Sequence, residues 1–136
     1  MNTRRRILLA LHLFVGIGAL AGGLAAITNP INPLGAPLSL LENSPFESYF
    51  IIGLFLAGVI GGGNIGGFLL LLTRPTIGNL TTFGLGFVLI VWIVIQCLII
   101  KTVMFLHVLF FLIGFLQSLF ALLNRKALKS KRVGAK

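Results

Sequence analysis

Four long apolar segments constrain the fold of this chain more than any other feature. They cover residues of about 7–28, 48–73, 78–100 and 103–123. Each has the roughly 20 residues that an α-helix needs to cross a bilayer. A membrane β-strand would alternate apolar and polar residues over about ten positions, and these segments do not alternate. The sequence therefore predicts an all-α fold: one membrane domain over residues 1–136, a polytopic bundle of four transmembrane helices.

The scarcity of charged residues excludes most soluble and catalytic functions. Of the 136 residues, 57% are hydrophobic and 10% are charged, whereas a soluble domain has about a quarter charged residues. The acidic residues are only Glu42 and Glu47, and Asp is absent. The single cysteine, Cys97, excludes an intramolecular disulfide and a Cys-x-x-Cys redox pair. We expect a protein that is not an enzyme and that needs no metal and no cofactor.

Two segment boundaries are less clear than the others. The third and fourth segments are separated only by Lys101 and Thr102, so we predict a tight helical hairpin that turns at Lys101. The first segment follows three arginines, as in a secretory signal peptide, but its apolar run exceeds the usual ~7–15 residues of a signal core. We predict that it is retained as a span; cleavage would leave three spans.

The positive charges are strongly asymmetric. With four spans, ten of the eleven Lys and Arg residues fall on one side and only Lys101 on the other. The positive-inside rule then places both termini in the cytoplasm of a cell membrane. The tail over residues 124–136 is expected to contact anionic lipid headgroups and not nucleic acid. The ten charges are Arg4, Arg5, Arg6, Arg74, Arg125, Lys126, Lys129, Lys131, Arg132 and Lys136.

The outer loop, residues 29–47, contains four of the five prolines, which disfavour continuous helix. Residues 38–42 are predicted to form a single helical turn at the membrane interface. The sequence Ser44-Pro45-Phe46-Glu47 matches a capping box with proline at the first helical position. We therefore predict that the second helix begins at Pro45.

Several short motifs resemble a group of small, uncharacterised bacterial four-helix membrane proteins. They are Leu-Gly-Ala-Pro-Leu-Ser-Leu-Leu at 34–41, Ser-Pro-Phe at 44–46, the glycine-rich second segment, and Trp92 with Gln96 and the isoleucines at 99–100. The resemblance spans roughly residues 11–122. It implies a bacterial origin and an intact four-helix unit, and it carries no activity and no catalytic residues.

Glycines predict where helices approach closely. Gly58, Gly62 and Gly66 recur every four residues on one face of the second segment, and Gly18 and Gly22 offer a flat surface on the first. Small residues let helix backbones touch in lipid. We predict packing of these two helices, with a homodimer seam or a transporter hinge as alternatives.

Polar residues within spans are functional candidates by default, and their depths sort them into two groups. An inner polar cluster would contain His12, Asn64, Thr81 and Thr82. An outer polar pocket under the loop would contain Glu42, Glu47, Gln96, Lys101 and His107. The alternative is that Lys101 extends to the headgroups, Glu47 caps its helix, and the others hydrogen-bond between helices. The two histidines lie near opposite faces and cannot share a metal ion.

These features favour a non-catalytic interaction or accessory subunit, partnered by a larger membrane protein or by a second copy. The alternative is a small homo-oligomeric transporter, pore, or carrier of lipids or amphiphiles. No span contains a carboxylate, which argues against proton coupling through an embedded acidic residue.

Overall fold

A computed structural model describes residues 1–135 and shows four long helices without strands in that range. The helices are α1 (Thr3–Thr28), α2 (Phe50–Thr73), α3 (Pro75–Ile100) and α4 (Phe105–Gly134). All four are long and apolar enough to cross a membrane. The predicted all-α, multi-pass architecture is confirmed.

Each helix packs against its neighbours in the chain, and α4 returns to α1. Successive helices are antiparallel; the α2–α3 and α3–α4 connections are short, whereas a long loop joins α1 to α2. One end of the bundle, here called the basic end, holds the N-terminus, the α2–α3 turn and the C-terminal part of α4. The other, the loop end, holds the long loop after α1 and the α3–α4 turn.

The helix α2 changes its geometry along its length. It is α-helical over Phe50–Phe55, π-helical over Leu56–Gly62 and α-helical again over Gly63–Thr73. A π-helix has i→i+5 hydrogen bonds and a wider turn than an α-helix, and such segments are frequent at functional sites.

The backbones of α1 and α2 touch at small residues. A Cβ atom added at Gly23 would lie 2.5 Å from the Ala57 backbone nitrogen, and one at Gly53 would lie 2.8 Å from the Gly23 carbonyl oxygen. One at Gly61 would lie 2.9 Å from Leu20 Cγ. The row that packs in α2 is therefore Gly53, Ala57 and Gly61, at four-residue spacing.

The predicted packing of α1 on α2 is present, but the predicted Gly58, Gly62 and Gly66 row and Gly18 do not form it. A Cβ at Gly18, Gly58 or Gly66 would meet nothing within 4 Å. A Cβ at Gly62 would meet only the Ala57 carbonyl of its own helix, at 3.6 Å. Gly22 does border α2, because a Cβ there would contact Leu56 at 3.4 Å. The contacting row of α2 includes Ala57, which is small enough to lie between Gly53 and Gly61. A search for regularly spaced glycines alone therefore selects a different face of α2.

The loop is partly as predicted. The helical turn expected at residues 38–42 is a 3₁₀ helix, Leu38–Leu41. The predicted start of α2 at Pro45 is wrong, because α2 begins at Phe50. The Ser44 hydroxyl accepts a hydrogen bond from Phe46 N–H at 3.2 Å and closes a turn two residues long. Ser44 therefore does not cap a helix, and Glu47 is exposed.

The α3–α4 hairpin turns where predicted. The helix α3 ends at Ile100, and Lys101 adopts a left-handed conformation with φ 54°. The helix α4 then extends past the predicted end at residue 123 to Gly134, because Ala, Leu, Lys and Arg in this tail are good helix formers. Lys136, the last predicted tail charge, lies outside the described residues.

Candidate functional site

Four buried polar side chains, one from each helix, meet inside the bundle: His12, Asn64, Thr82 and Gln117. Each is 0% exposed. His12 Nδ1 lies 2.8 Å from Asn64 Oδ1, and His12 Nε2 lies 2.8 Å from Thr82 Oγ1. Gln117 Nε2 donates to Asn64 Oδ1 at 3.0 Å. This four-helix cluster ties all the helices together at one depth.

The hydrogen bonds determine the protonation of His12. Asn64 Nδ2 donates to the Ile60 carbonyl at 2.8 Å, so Asn64 Oδ1 faces the histidine as an acceptor. We therefore assign the hydrogen of neutral His12 to Nδ1. The Thr82 hydroxyl lies beside Nε2 and donates to the Gly78 carbonyl oxygen at 2.7 Å. The Gln117 amide nitrogen lies 3.5 Å from His12 Nδ1.

The structure brings together three residues of the predicted inner cluster and adds one. Thr81 is excluded, because neighbouring residues on a helix point about 100° apart and Thr81 is partly exposed. Gln117 was missed. The signal was present, since counting about 1.5 Å per residue from the turn at Lys101 places Gln117 and Thr82 at similar depths.

A cavity of about 290 Å³ lies between the cluster and the loop end. It separates the α1–α2 pair from the α3–α4 pair. Two of its lining residues, Gly18 of α1 and Leu106 of α4, are also exposed, so the cavity opens at the surface of the bundle between these helices. Its apolar walls comprise Val15 and Ala19, Leu56 and Ile60, Leu89 and Ile93, and Leu106 and Phe110.

Three polar side chains of α3 and α4 line the same cavity: Trp92, Gln96 and His107. The Trp92 ring packs on Phe55 with centroids 4.6 Å apart. Its Nε1 is buried without a hydrogen-bond partner in the described chain. His107 Nδ1 accepts from Met104 N–H at 3.1 Å. Neutral His107 therefore carries its hydrogen on Nε2.

The predicted outer polar pocket is only partly assembled. Gln96 and His107 share the cavity, but Glu42 and Glu47 are exposed on the loop and do not line it. Lys101 lines a separate groove between α3 and α4, which His107 also borders. The two carboxylates stay solvated because the loop between α1 and α2 keeps them at the surface.

Hydrogen bonds link the helices at the basic end, beside a cavity of about 280 Å³. Arg5 donates through Nε to the Leu71 carbonyl at 3.0 Å and through Nη2 to the Leu72 carbonyl at 3.0 Å. It thereby satisfies carbonyls that the end of α2 leaves free. Asn124 Nδ2 donates to Asn79 Oδ1 at 3.3 Å, linking α4 to α3. The charge pattern predicted only a topological role for Arg5, and nothing in the sequence pattern singled out Asn124.

Two further observations bear on function. Within residues 1–135, no three His, Cys, Asp or Glu side chains are grouped so that they could hold a metal ion. No protein-family model, curated protein or solved structure matches the chain. The cavity and the four-helix cluster are therefore the basis for assigning a role.

Proposed function

We propose that this protein binds a lipid-like, amphiphilic molecule within the membrane, in the cavity between the α1–α2 and α3–α4 pairs. The observation that carries the proposal is a cavity of about 290 Å³ that all four helices line and that opens at the surface of the bundle. An apolar protein cavity of about 150 Å³ already takes up benzene, and ligand pockets begin at about 300 Å³. The volume suits one ring or part of an acyl chain.

The surrounding structure supports a built site. Leu56 and Ile60 of the cavity wall belong to the π-helical segment, the kind of irregularity that is frequent at functional sites. Ile60 also connects the cavity to the four-helix cluster, because its carbonyl accepts from Asn64. The cluster would hold the base of the cavity in place while its mouth remains accessible.

The distribution of basic residues suggests how the bundle is oriented in the membrane. The asymmetry of ten basic residues against Lys101 supports a cell-membrane protein with the basic end in the cytoplasm. The cavity would then open into the outer half of the bilayer. The 30 residues of α4 extend about 45 Å, which exceeds the ~30 Å hydrocarbon core. The basic C-terminal part of α4 would therefore extend out of the hydrocarbon core and lie among anionic headgroups.

A pair of glycine substitutions tests the binding function. A Cβ atom added at Gly18 or at Gly58 would meet open space, but only Gly18 lines the cavity. Leucine at Gly18 should fill the mouth, so native mass spectrometry in mild detergent should show bound lipid on the wild type and on Gly58→Leu, and little on Gly18→Leu. Equal lipid retention by all three proteins, or none on the wild type, would contradict the proposal.

A second candidate function is a non-catalytic accessory subunit. It is favoured by the Gly58, Gly62 and Gly66 row, which no other helix in the described chain covers and which offers a flat surface to a neighbouring membrane helix. In that case Gly58→Leu should remove a stoichiometric complex from the native mass spectrum, while Gly18→Leu should keep it. The same two variants therefore separate the two functions.

A further inference from the structure

We infer that the cavity selects an uncharged molecule with an oxygen acceptor, such as an ester or ketone carbonyl, at the end that reaches Trp92 and His107. This inference rests on the proposed binding function and specifies its ligand. It follows from which hydrogen-bonding groups and which charges line the cavity.

Trp92 provides the first donor. An indole N–H can donate a hydrogen bond and cannot accept one. Trp92 Nε1 is buried and has no acceptor among residues 1–135, although Trp92 lines the cavity. Most buried polar groups in proteins have a partner, whereas this nitrogen is enclosed by side chains and unpaired. A ligand that moves those side chains aside would supply the missing acceptor.

His107 provides the second donor. Its Nδ1 is occupied by Met104 N–H, which leaves Nε2–H as the remaining polar group of the neutral ring. His107 is 8% exposed and lines the same cavity. No described residue accepts from Nε2, so this second N–H is also free to bind an oxygen of the ligand. The Gln96 amide on the same wall can adapt to either a donor or an acceptor.

The charges indicate an uncharged head. Among the described residues, no Lys, Arg, Asp or Glu lines the cavity. An anion or a cation placed there would lose its hydration without gaining a counter-ion, which is strongly unfavourable. Lys101 lines only the neighbouring groove. The remaining walls are aliphatic or aromatic and would contact the apolar body of the ligand.

The single tryptophan of the chain, Trp92, makes a direct test possible. Brominated probes of equal chain length would be titrated into the full-length protein in detergent, and quenching of Trp92 fluorescence would be followed. The probes are a dibromo fatty acid methyl ester, a dibromo methyl ketone, a dibromo alkane and the dibromo fatty acid anion. We expect the ester, the ketone or both to reach half-quenching at a concentration about tenfold below that of the alkane, as expected for one hydrogen bond to an otherwise unpaired donor.

The outcomes separate the two proposals. Equal quenching by the alkane and both carbonyl probes would overturn the acceptor inference and leave the binding function standing. Tighter binding of the anion than of the ester would overturn the uncharged head. No quenching by any probe would contradict the binding function itself. A preference between ester and ketone would identify whether a lipid ester or a free ketone is the source of the acceptor.

Two variants locate the acceptor. His107→Leu should reduce the preference for the carbonyl probe over the alkane and preserve quenching by the alkane. Lys101→Gln should leave the preference unchanged, because Lys101 borders the groove and not the cavity. Loss of the preference in Lys101→Gln alone would place the head of the ligand in the groove and overturn the inference.

Discussion

His12 and His107 use their ring nitrogens in opposite ways. His12 Nδ1 faces the acceptor Asn64 Oδ1, whereas His107 Nδ1 faces the donor Met104 N–H. In the neutral rings, His12 must carry its hydrogen on Nδ1 and His107 on Nε2. The two residues therefore serve different purposes: one joins helices, and the other presents a donor to a cavity.

This difference predicts two distinct tautomers. In protein labelled with ¹⁵N histidine at neutral pH, the ring nitrogen shifts should identify His12 as the Nδ1–H form and His107 as the Nε2–H form. Asn64→Leu should alter the pattern of His12 only, which assigns the signals. Finding His12 as the Nε2–H form would contradict the hydrogen-bond assignment of the cluster.

At the scale of residues, depth along a helix was the most informative property of the sequence. Counting positions placed His12, Asn64 and Thr82 together because a helix rises by a constant amount per residue. The same count would have included Gln117. Counting residues could not give the depth of Glu42 and Glu47, because they lie on a loop, and a loop has no fixed rise per residue. The unpaired Trp92 donor depends on side-chain orientation and could not be predicted from the sequence.

The backbones of α1 and α2 are in close contact, and two adjacent glycines of α2 have opposite environments. A side chain at Gly61 would collide with Leu20 of α1, including its backbone nitrogen at 3.0 Å, whereas Gly62 is exposed. Position within a contacting row, and not glycine content, decides the effect of a substitution.

Gly61→Leu should therefore destabilise the bundle by at least the ~1–3 kcal/mol typical of overpacking, while Gly62→Leu should change stability by less than about 0.5 kcal/mol. Unfolding of each variant by a denaturing detergent in mixed micelles would measure the difference. A larger loss of stability in Gly62→Leu would show that the exposed glycine row is the contacting one.

The extents of the helices were largely predictable, but their ends were less so. Hydrophobicity locates the spans because each must match the bilayer. The Ser44–Glu47 pattern failed because a serine hydroxyl can accept from a backbone N–H two residues later in a turn as well as three residues later in a helix. The helix α4 continues past the end of the predicted span to Gly134, because polarity ends a span but does not end a helix.

Over the whole molecule, two helical hairpins are joined at the basic end and separated by a cavity at the loop end. Arg5 and the asparagines cross-link the helices at the basic end, where they also line a cavity of about 280 Å³. Gly18 and Leu106 border the opening at the other end. Any opening motion that admits a ligand would therefore be expected between α1 and α4.

The proposed orientation predicts which lysines are accessible. A membrane-impermeant amine reagent applied to intact cells should modify Lys101, because the α3–α4 turn would face outward and Lys101 is exposed. Lysines of the C-terminal part of α4 should react only in inside-out vesicles. Mass spectrometry of the labelled peptides measures both, and labelling of Lys126 in intact cells would reverse the proposed topology.

The four-helix cluster also has a consequence for biogenesis. Once α1 and α2 have entered the membrane as a hairpin, His12 can already bind Asn64. The helix α3 then supplies Thr82 to the second ring nitrogen, and α4 adds Gln117 to the same Asn64 oxygen that faces His12. Chains are synthesised from the N-terminus, and unpaired polar groups are costly in lipid. The polar side chain of each newly inserted helix can therefore hydrogen-bond to a helix that was inserted before it. The order of translation is thus also an order in which the polar centre of the protein is completed.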